Sequence, residues 1–439
     1  MVQLLVNCSS EIIKYIYNQQ WRLNCKSFDS DCISNGDLIY VKEEGCNEIL
    51  FTPLLSKKES LILAEENIEF INSIIYNKIN EFNSDCKINI GKIVNIKPIT
   101  YGNRSVIYEI FNEYNKKYLL KVMKRLENDN IEDKIIRYLT NSGYKNVPKY
   151  YCSIKFKDYY YGLITEIIDG EPAATYYINS AVRYIKKLGN YESIGNIIGI
   201  NLAYLHNVLK ECKEDFCYNE VISDKILENW INRILYREKW IKNNLDNLQY
   251  QEDKNLAIEA LDSIDELLNI IRPDLRNLIG KHLMRIHGDL HLYQILVSDK
   301  NVYFTDFEGE PYKFPGNKLE KEMPERDLAA LIRSIDYTAI MALQLIYGSS
   351  VKDSLDLLSN EILDWEYNSS KEILKEYINA VSEPIRENID QLGISLPFWL
   401  FERATYEIVY EMIAKTGYYA IPMSAIIRMK EGKDKFFKI

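Results

Sequence analysis

The spacing of apolar positions changes character along this chain. Over the first ninety or so residues, short apolar segments are broken by Asn, Asp, Gly and Ser, the pattern of a small mixed domain. Leu61 to Phe82, within it, carries Leu, Ile and Phe at helical spacing. From Lys92 the pattern becomes strand-like. Ile93 to Ile99, Val106 to Phe111 and Tyr118 to Met123 are β-rich runs, separated by the turns Gly102 to Ser105 and Asn112 to Asn115. Such runs across short polar turns predict hairpin pairing. A helix is predicted over Ile131 to Thr140. Two further strands follow, Lys149 to Lys155 and Tyr159 to Ile168, split by a turn at Lys157-Asp158.

Beyond Asp169-Gly170-Glu171-Pro172 the period becomes helical. Ile194 to Leu209, Ile226 to Asn244 and Leu256 to Ile271 repeat at helical spacing, and Pro273 ends the last. A strand-and-loop island covers Arg285 to Phe307. Helices resume at Arg326 to Tyr347, Ser354 to Asn379 and Phe398 to Ala414. A β-rich lobe, a short acidic hinge and a helical lobe with one β-island follow the order of a bilobal, protein-kinase-like α+β fold. The expected domains are 1–90, 91–170 and 171–439.

Composition narrows the function. At roughly 150 residues per domain, 439 residues with 47% apolar content allow two or three packed units. No repeat or low-complexity stretch interrupts them. A net charge of -10 argues against a nucleic-acid partner but leaves room for a local anion site. The eight cysteines form no C-x-x-C pair, which predicts reduced, buried thiols. The N-terminus lacks a basic start, and no apolar run approaches the roughly 18–20 residues that span a bilayer. A cytoplasmic protein without a membrane partner is expected, as a monomer or weak homo-oligomer acting on a small molecule.

Three of the four histidines, His282, His287 and His291, fall within ten residues. Two lie in Arg285-Ile286-His287-Gly288-Asp289-Leu290-His291-Leu292-Tyr293-Gln294, and Thr305-Asp306-Phe307-Glu308-Gly309-Glu310 follows. In a loop of the form H-x-D-x-x-x-x-N/Q, the carboxylate orients an attacking hydroxyl and takes its proton, so Asp289 is the candidate base. Gln294, five residues on, and Asp306, after the next strand, are candidate magnesium ligands; Mg2+ prefers oxygen and keeps several waters. The alternative is a transition-metal site built on the histidines. Against it, His287 and His291 flank a turn, and no H-E-x-x-H helix exists. His287 is expected to orient the loop, His291 to lie near the acceptor, and His206 to pack against the loop. Lys121 lies inside an apolar strand, where an ammonium needs a partner. ATP phosphate is one, and Glu132 or Asp133 on the next helix the other. Gly102 to Ser105 can present amides to phosphate, and Glu166 to Ile168 fall at a hinge able to meet adenine.

The stretch Arg285 to Ala339, R-I-H-G-D-L-H-L-Y-Q-I-L … T-D-F-E-G-E-P … E-R-D-L-A-A-L-I-R-S-I-D-Y-T-A, resembles the bacterial maltokinases. Those belong to the kinase-like aminoglycoside phosphotransferase superfamily, with related glucosamine kinases. Leu119 to Glu127 is similar to the family's lysine strand, Ala404 to Glu411 to its Y-E-x-x-Y-E sugar-site helix, and Trp21 to a tryptophan of its N-terminal cap domain. The resemblance implies transfer of the ATP γ-phosphate to maltose, giving maltose 1-phosphate for glycogen synthesis. It implies Asp289 as base, Gln294 and Asp306 on magnesium, Glu308 assisting the metal or the sugar, and Lys121 on phosphate. Asp327 would brace the catalytic loop. Arg333, Asp336, Tyr406, Glu407, Tyr410 and Glu411 would line the sugar site.

Three positions depart from the family. Lys415-Thr416-Gly417-Tyr418 replaces R-P-x-W before Ile421-Pro422, Tyr293 stands where the family has glycine, and Lys134 stands where it has the lysine's glutamate partner. The first two bear on the acceptor: maltose is the leading expectation, and glucosamine or another small sugar is the alternative.

Overall fold

A computed structural model describes residues 4–19, 29–35, 37–45, 48–57, 60–86, 88–102, 104–189, 193–248, 250–311 and 319–437. Trp21, Cys25, Cys46 and Asn103 lie outside them. The chain divides into two compact units, one of residues 1–140 and 148–168, the other of 141–147 and 169–439.

The first unit is organised by an antiparallel sheet whose main path runs Leu4–Asn7, Asp29–Asn35, Leu38–Gly45, Glu48–Lys57, Lys117–Glu127, Tyr159–Thr165, Tyr150–Phe156 and Phe82–Cys86. Ile93–Tyr101 and Ser105–Asn112 form the predicted hairpin, and the second of them also pairs with Lys117–Glu127. Strand Ser105–Asn112 alternates buried and half-buried residues, the period expected of a strand with one face on a core. Lys117–Glu127 is buried along most of its length because neighbours pair with it on both sides. Segments before and after residue 90 share one apolar core, in which Tyr40, Phe51, Phe82, Phe156 and Tyr161 stack or meet edge to face. The predicted helix Leu61 to Phe82 is instead a strand, Ser60–Leu63, a 3-10 turn, Ala64–Glu66, a helix, Ile68–Ile75, and the start of strand Phe82–Cys86. Asn67 caps that helix by accepting the Phe70 amide at 3.0 Å. Short apolar runs carry too few residues to separate the two periods.

In the second unit, Ala173–Ile185, Glu325–Tyr347, Asn360–Ala380 and Leu392–Ala414 are the principal core helices. The predicted Ser354 to Asn379 helix is broken. Ser350 caps Val351–Asp356, and Ser359 caps Asn360–Ala380. Among the described residues, Glu325–Tyr347 is the one helix long and apolar enough to cross a membrane, and 61% of its apolar window is buried within the protein. It is a core helix; it carries Arg326, Arg333 and Asp336 in ion pairs, and Asp327 hydrogen-bonded to His206. The β-island is a small sheet of Glu171–Pro172, Ile295–Ser298 and Asn301–Phe304.

The expectation of reduced cysteines is corrected. Cys8 pairs with Cys32, Cys86 with Cys152 and Cys212 with Cys217. The cause is proximity that sequence spacing conceals. Cys86 and Cys152 are direct partners in the sheet register, and the other two pairs have Cα atoms 5.2 and 5.7 Å apart. With that, cysteine usage ceases to support a cytoplasmic setting.

A fully buried ion pair fixes the sheet's centre to the 3-10 turn. Lys124, on strand Lys117–Glu127, pairs with Glu65, which also accepts the Tyr161 hydroxyl at 3.3 Å. Removing one partner of such a pair costs about 3–5 kcal/mol, whereas replacing both with apolar groups costs far less. Lys124→Met is therefore expected to lower unfolding stability by that amount in urea titration, with Lys124→Met/Glu65→Leu recovering most of the loss.

Candidate active site

In the first unit, Lys121 projects from the central strand, with Glu132 on the following helix. Its Nζ lies 2.8 Å from Glu132 Oε2, and both side chains are buried. This resolves the choice between Glu132 and Asp133. Helix Ile131–Asn141 turns Asp133 towards Arg137, whose Nη2 lies 3.4 Å from its carboxylate. Lys134 pairs with Asp129 instead. Ser105 opens the second hairpin strand, opposite Met123. The Glu166 amide donates to the Lys149 carbonyl at 2.8 Å, and Ile168 lies two residues on, half-buried.

In the second unit, the predicted loop is held by its backbone. Asp327 Oδ2 accepts the His287 amide at 2.8 Å, and Oδ1 accepts the Gly288 amide at 2.9 Å. The same carboxylate accepts His206 Nε2 at 3.1 Å, and His206 Nδ1 takes the Tyr377 hydroxyl at 2.8 Å. Burial alone would raise the Asp327 pKa, but these donors and the nearby imidazoles draw it below the usual carboxylate range. His287 Nε2 donates to the Thr305 carbonyl at 2.9 Å, and its ring lies against Phe307. Its Nδ1 faces the Asp289 amide at 3.4 Å. Both ring nitrogens thus face main-chain groups. Gly288 has φ +85°, and a Cβ there would lie 3.6 Å from Gly309, so glycine lets the loop turn sharply against the acidic turn.

The loop presents Asp289. Burial would raise its pKa, but Arg403, 2.8 Å from Oδ1, and then His291 and His287 bring it below the ordinary value. Burial pushes the His291 imidazole down and favours its neutral form. Asp306 follows strand Asn301–Phe304 at φ +63°, a strained conformation for a residue with a side chain. Its carboxylate accepts Gln294 Nε2 at 2.9 Å, so Oε1 is the Gln294 atom able to ligate a cation. The carboxylate oxygens of Asp306 and Glu308 lie within 4.8 Å of one another. This is an all-oxygen donor set, which fits magnesium and not a thiophilic or imidazole-seeking metal. The histidine alternative fails on geometry. His282 sits by Glu387 at 3.6 Å, His287 binds a carbonyl, and among the described residues no three ligating groups that include a histidine converge.

Behind Asp289 lies a buried lattice of arginines and carboxylates. Arg403, on helix Leu392–Ala414, also meets Glu310 at 2.8 Å and Glu407 at 3.1 Å. Glu310 is shared with Arg326, at 2.6 Å, and Arg326 also meets Glu402 at 3.3 Å. Glu402 is held by Arg237 at 2.8 Å and Arg233 at 3.4 Å. Burial would raise its pKa, but the three arginines hold it far below the usual range. Of the expected sugar-site residues, Glu407 is bound by Arg403 and Arg333, and Asp336 by Arg333 and Arg428. Tyr406 is buried, with the Arg237 and Arg403 guanidiniums 5.3 and 4.9 Å from its ring centroid. Tyr410 stacks on Tyr406. Glu411 accepts the Tyr337 hydroxyl at 3.3 Å and also the Thr416 hydroxyl. Tyr293 is half-exposed and directs its hydroxyl at the Met341 sulfur, 3.6 Å away. Sequence reading missed Arg403, Glu310 and Glu402. The i, i+4 pair Arg403 and Glu407 on an otherwise apolar helix was the available signal.

Asp327→Asn replaces an acceptor of two loop amides with a group that can accept only one. A loss of about 2–4 kcal/mol in unfolding stability is expected. Amide exchange at His287 and Gly288 is expected to accelerate, read by hydrogen exchange; unchanged protection there would show that other contacts hold the loop.

No protein-family model matches this sequence. Among solved structures, a glucosamine kinase in complex with glucosamine, ADP and inorganic phosphate aligns with a TM-score of 0.64 at 13% identity, over 92% of this chain and 94% of that one. Another crystal form of glucosamine kinase aligns with a TM-score of 0.66 at 12% identity, over 92% and 93%. The chain therefore has the α+β, aminoglycoside-phosphotransferase-like kinase fold of these structures.

Proposed function

We propose that the protein is an ATP-dependent kinase of a sugar hydroxyl, with glucosamine as the preferred acceptor. The observation that carries the reaction class is the Asp289 loop, braced by Asp327 and followed by the Gln294, Asp306 and Glu308 oxygen donors. The buried Lys121–Glu132 pair supplies the matching phosphate lysine. In this reading Lys121 binds ATP phosphates, the turn at Ser105 covers them, and main-chain groups from Glu166 to Ile168 meet adenine. Residues 1–90 act as a cap, 91–170 carry the nucleotide groups, and 171–439 carry the loop and acceptor site.

Gln294, Asp306 and Glu308 would hold magnesium, which when bound supplies charge neutralisation at the phosphates. Asp289 accepts a hydrogen bond from the acceptor hydroxyl. As the hydroxyl oxygen bonds to the γ-phosphorus, the bond to the bridging oxygen breaks and ADP leaves. The hydroxyl proton passes to Asp289. Most of the rate arises from positioning and charge placement.

Glu411 favours an amino sugar. Among the described residues no lysine or arginine is paired with it; its recorded partners are the Tyr337 and Thr416 hydroxyls. Burial, reinforced by the Glu407 charge, pushes its pKa up to about 7. A buried carboxylate of this kind is stabilised by an incoming ammonium group. The glucosamine kinases that share the fold act on such a sugar. Maltose is the second reading, carried by the likeness of Arg285 to Ala339 and Ala404 to Glu411 to maltokinases.

ADP release with magnesium and a panel of glucosamine, glucose, maltose and trehalose tests this. Glucosamine is expected to give the highest kcat/KM. Release with maltose alone would reverse the preference, and nucleotide binding with no sugar-dependent release would favour a catalytically inactive kinase-like protein. Glu411 is neutral below about pH 7 and ionised above it. The glucosamine KM is therefore expected to fall as pH rises through that value, and Glu411→Gln to abolish the trend without affecting a neutral acceptor.

A further inference from the structure

We infer that Arg403 is the positioning residue of the catalytic base: its guanidinium pins one oxygen of Asp289, so the other takes the acceptor's proton. The inference rests on Asp289 being the base of the proposed kinase.

The geometry is that of a fork meeting three carboxylates. Arg403 Nη1 lies 2.8 Å from Asp289 Oδ1 and 2.8 Å from Glu310 Oε1, while Nε lies 3.1 Å from Glu407 Oε1. Two carboxylates on one side and a tyrosine ring under the plane, with Cζ 4.9 Å from the Tyr406 centroid, prevent the guanidinium from swinging. Glu407 is in turn fixed by Arg333 at 3.0 Å, and Glu310 by Arg326 at 2.6 Å. Arg326 also reaches the Gly288 carbonyl at 3.4 Å, so the loop is tied to the same lattice through its backbone. With Oδ1 bound, Oδ2 is the atom left for the acceptor. A lysine ammonium is a point charge and cannot span three carboxylates as the planar fork does.

Fixing the oxygen also fixes the charge. The groups facing Asp289 are Arg403 and Tyr406 from helix Leu392–Ala414, His287 and His291 from its own loop, and Glu310, reached through Arg403. Burial acts to protonate Asp289, and Arg403 is the largest influence opposing it. Without Arg403, burial and the uncompensated Glu310 and Glu407 would raise the Asp289 pKa, so the base would be protonated at pH values where it is now ionised.

The test uses the full-length protein with ATP, magnesium and the best acceptor from the sugar panel, comparing Arg403→Gln, Arg403→Lys and Asp289→Asn with the parent between about pH 5 and 9. Nucleotide binding and thermal unfolding confirm that each variant is folded. Arg403→Gln is expected to lose about 10²-fold or more in kcat with little change in the KM for ATP, and to gain an acid limb absent from the parent. Arg403→Lys is expected to show no acid limb, like the parent, while losing about tenfold in kcat, because the charge remains and the fork does not. A parent-like kcat and pH profile in Arg403→Lys, or a folded Arg403→Gln with no new acid limb, overturns the inference. If Arg403→Gln fails to fold, the Arg403→Lys result decides. An inactive Asp289→Asn beside parent-like Arg403 variants would refute the positioning role alone. An active Asp289→Asn would refute the base assignment itself.

Discussion

The contact between Arg403 and Asp289 is the constraint around which the second unit is built. Keeping Asp289 ionised conflicts with its surroundings, because its carboxylate is buried and burial favours the neutral acid. The arginine resolves that conflict. It creates another, because a buried guanidinium needs its own carboxylates. Glu310 and Glu407 meet that need, and they in turn require Arg326 and Arg333. The lattice propagates outward to Glu402, Arg233, Arg237, Asp336 and Arg428. Its extent follows from the cost of leaving any buried charge unpaired.

The lattice also ties these elements together where they meet. Helices Glu325–Tyr347 and Leu392–Ala414 supply most of its charges, and the acidic turn after Asp306 supplies Glu310. Asp289 is held at Oδ1 through Arg403 and its loop through Asp327. These carboxylates work in opposite directions. Asp327 accepts backbone amides and sets the loop's shape, while Asp289 is held by a side chain and presents its second oxygen. A site organised this way fits a reaction in which positioning and charge placement dominate.

Much of this was legible in the sequence, for physical reasons. The strand carrying Lys121 is a nearly continuous apolar run, and a lysine in such a run demands a partner. Helix phase, which spacing alone did not fix, then selects Glu132 over Asp133. The Asp289, Gln294 and Asp306 spacing survives because one short turn and one hairpin hold all three. Arg403's link to the loop was hidden because two of its three carboxylate partners, Glu310 and Asp289, lie 93 and 114 residues away in sequence. The cysteine pairs were hidden for the same reason, since Cys86 and Cys152 meet only through strand register. Leu61 to Phe82 was misread because a strand, a 3-10 turn and a two-turn helix in succession mimic one helical period.

Phosphate transfer itself is the property to observe. Phosphorus NMR of the protein with ATP, magnesium and glucosamine is the most direct measurement. A sugar phosphomonoester resonance growing in step with ADP is the predicted result. ADP accompanied only by inorganic phosphate, with no phosphorylated sugar from any acceptor, would contradict the assignment of Asp289 as a base acting on a sugar hydroxyl.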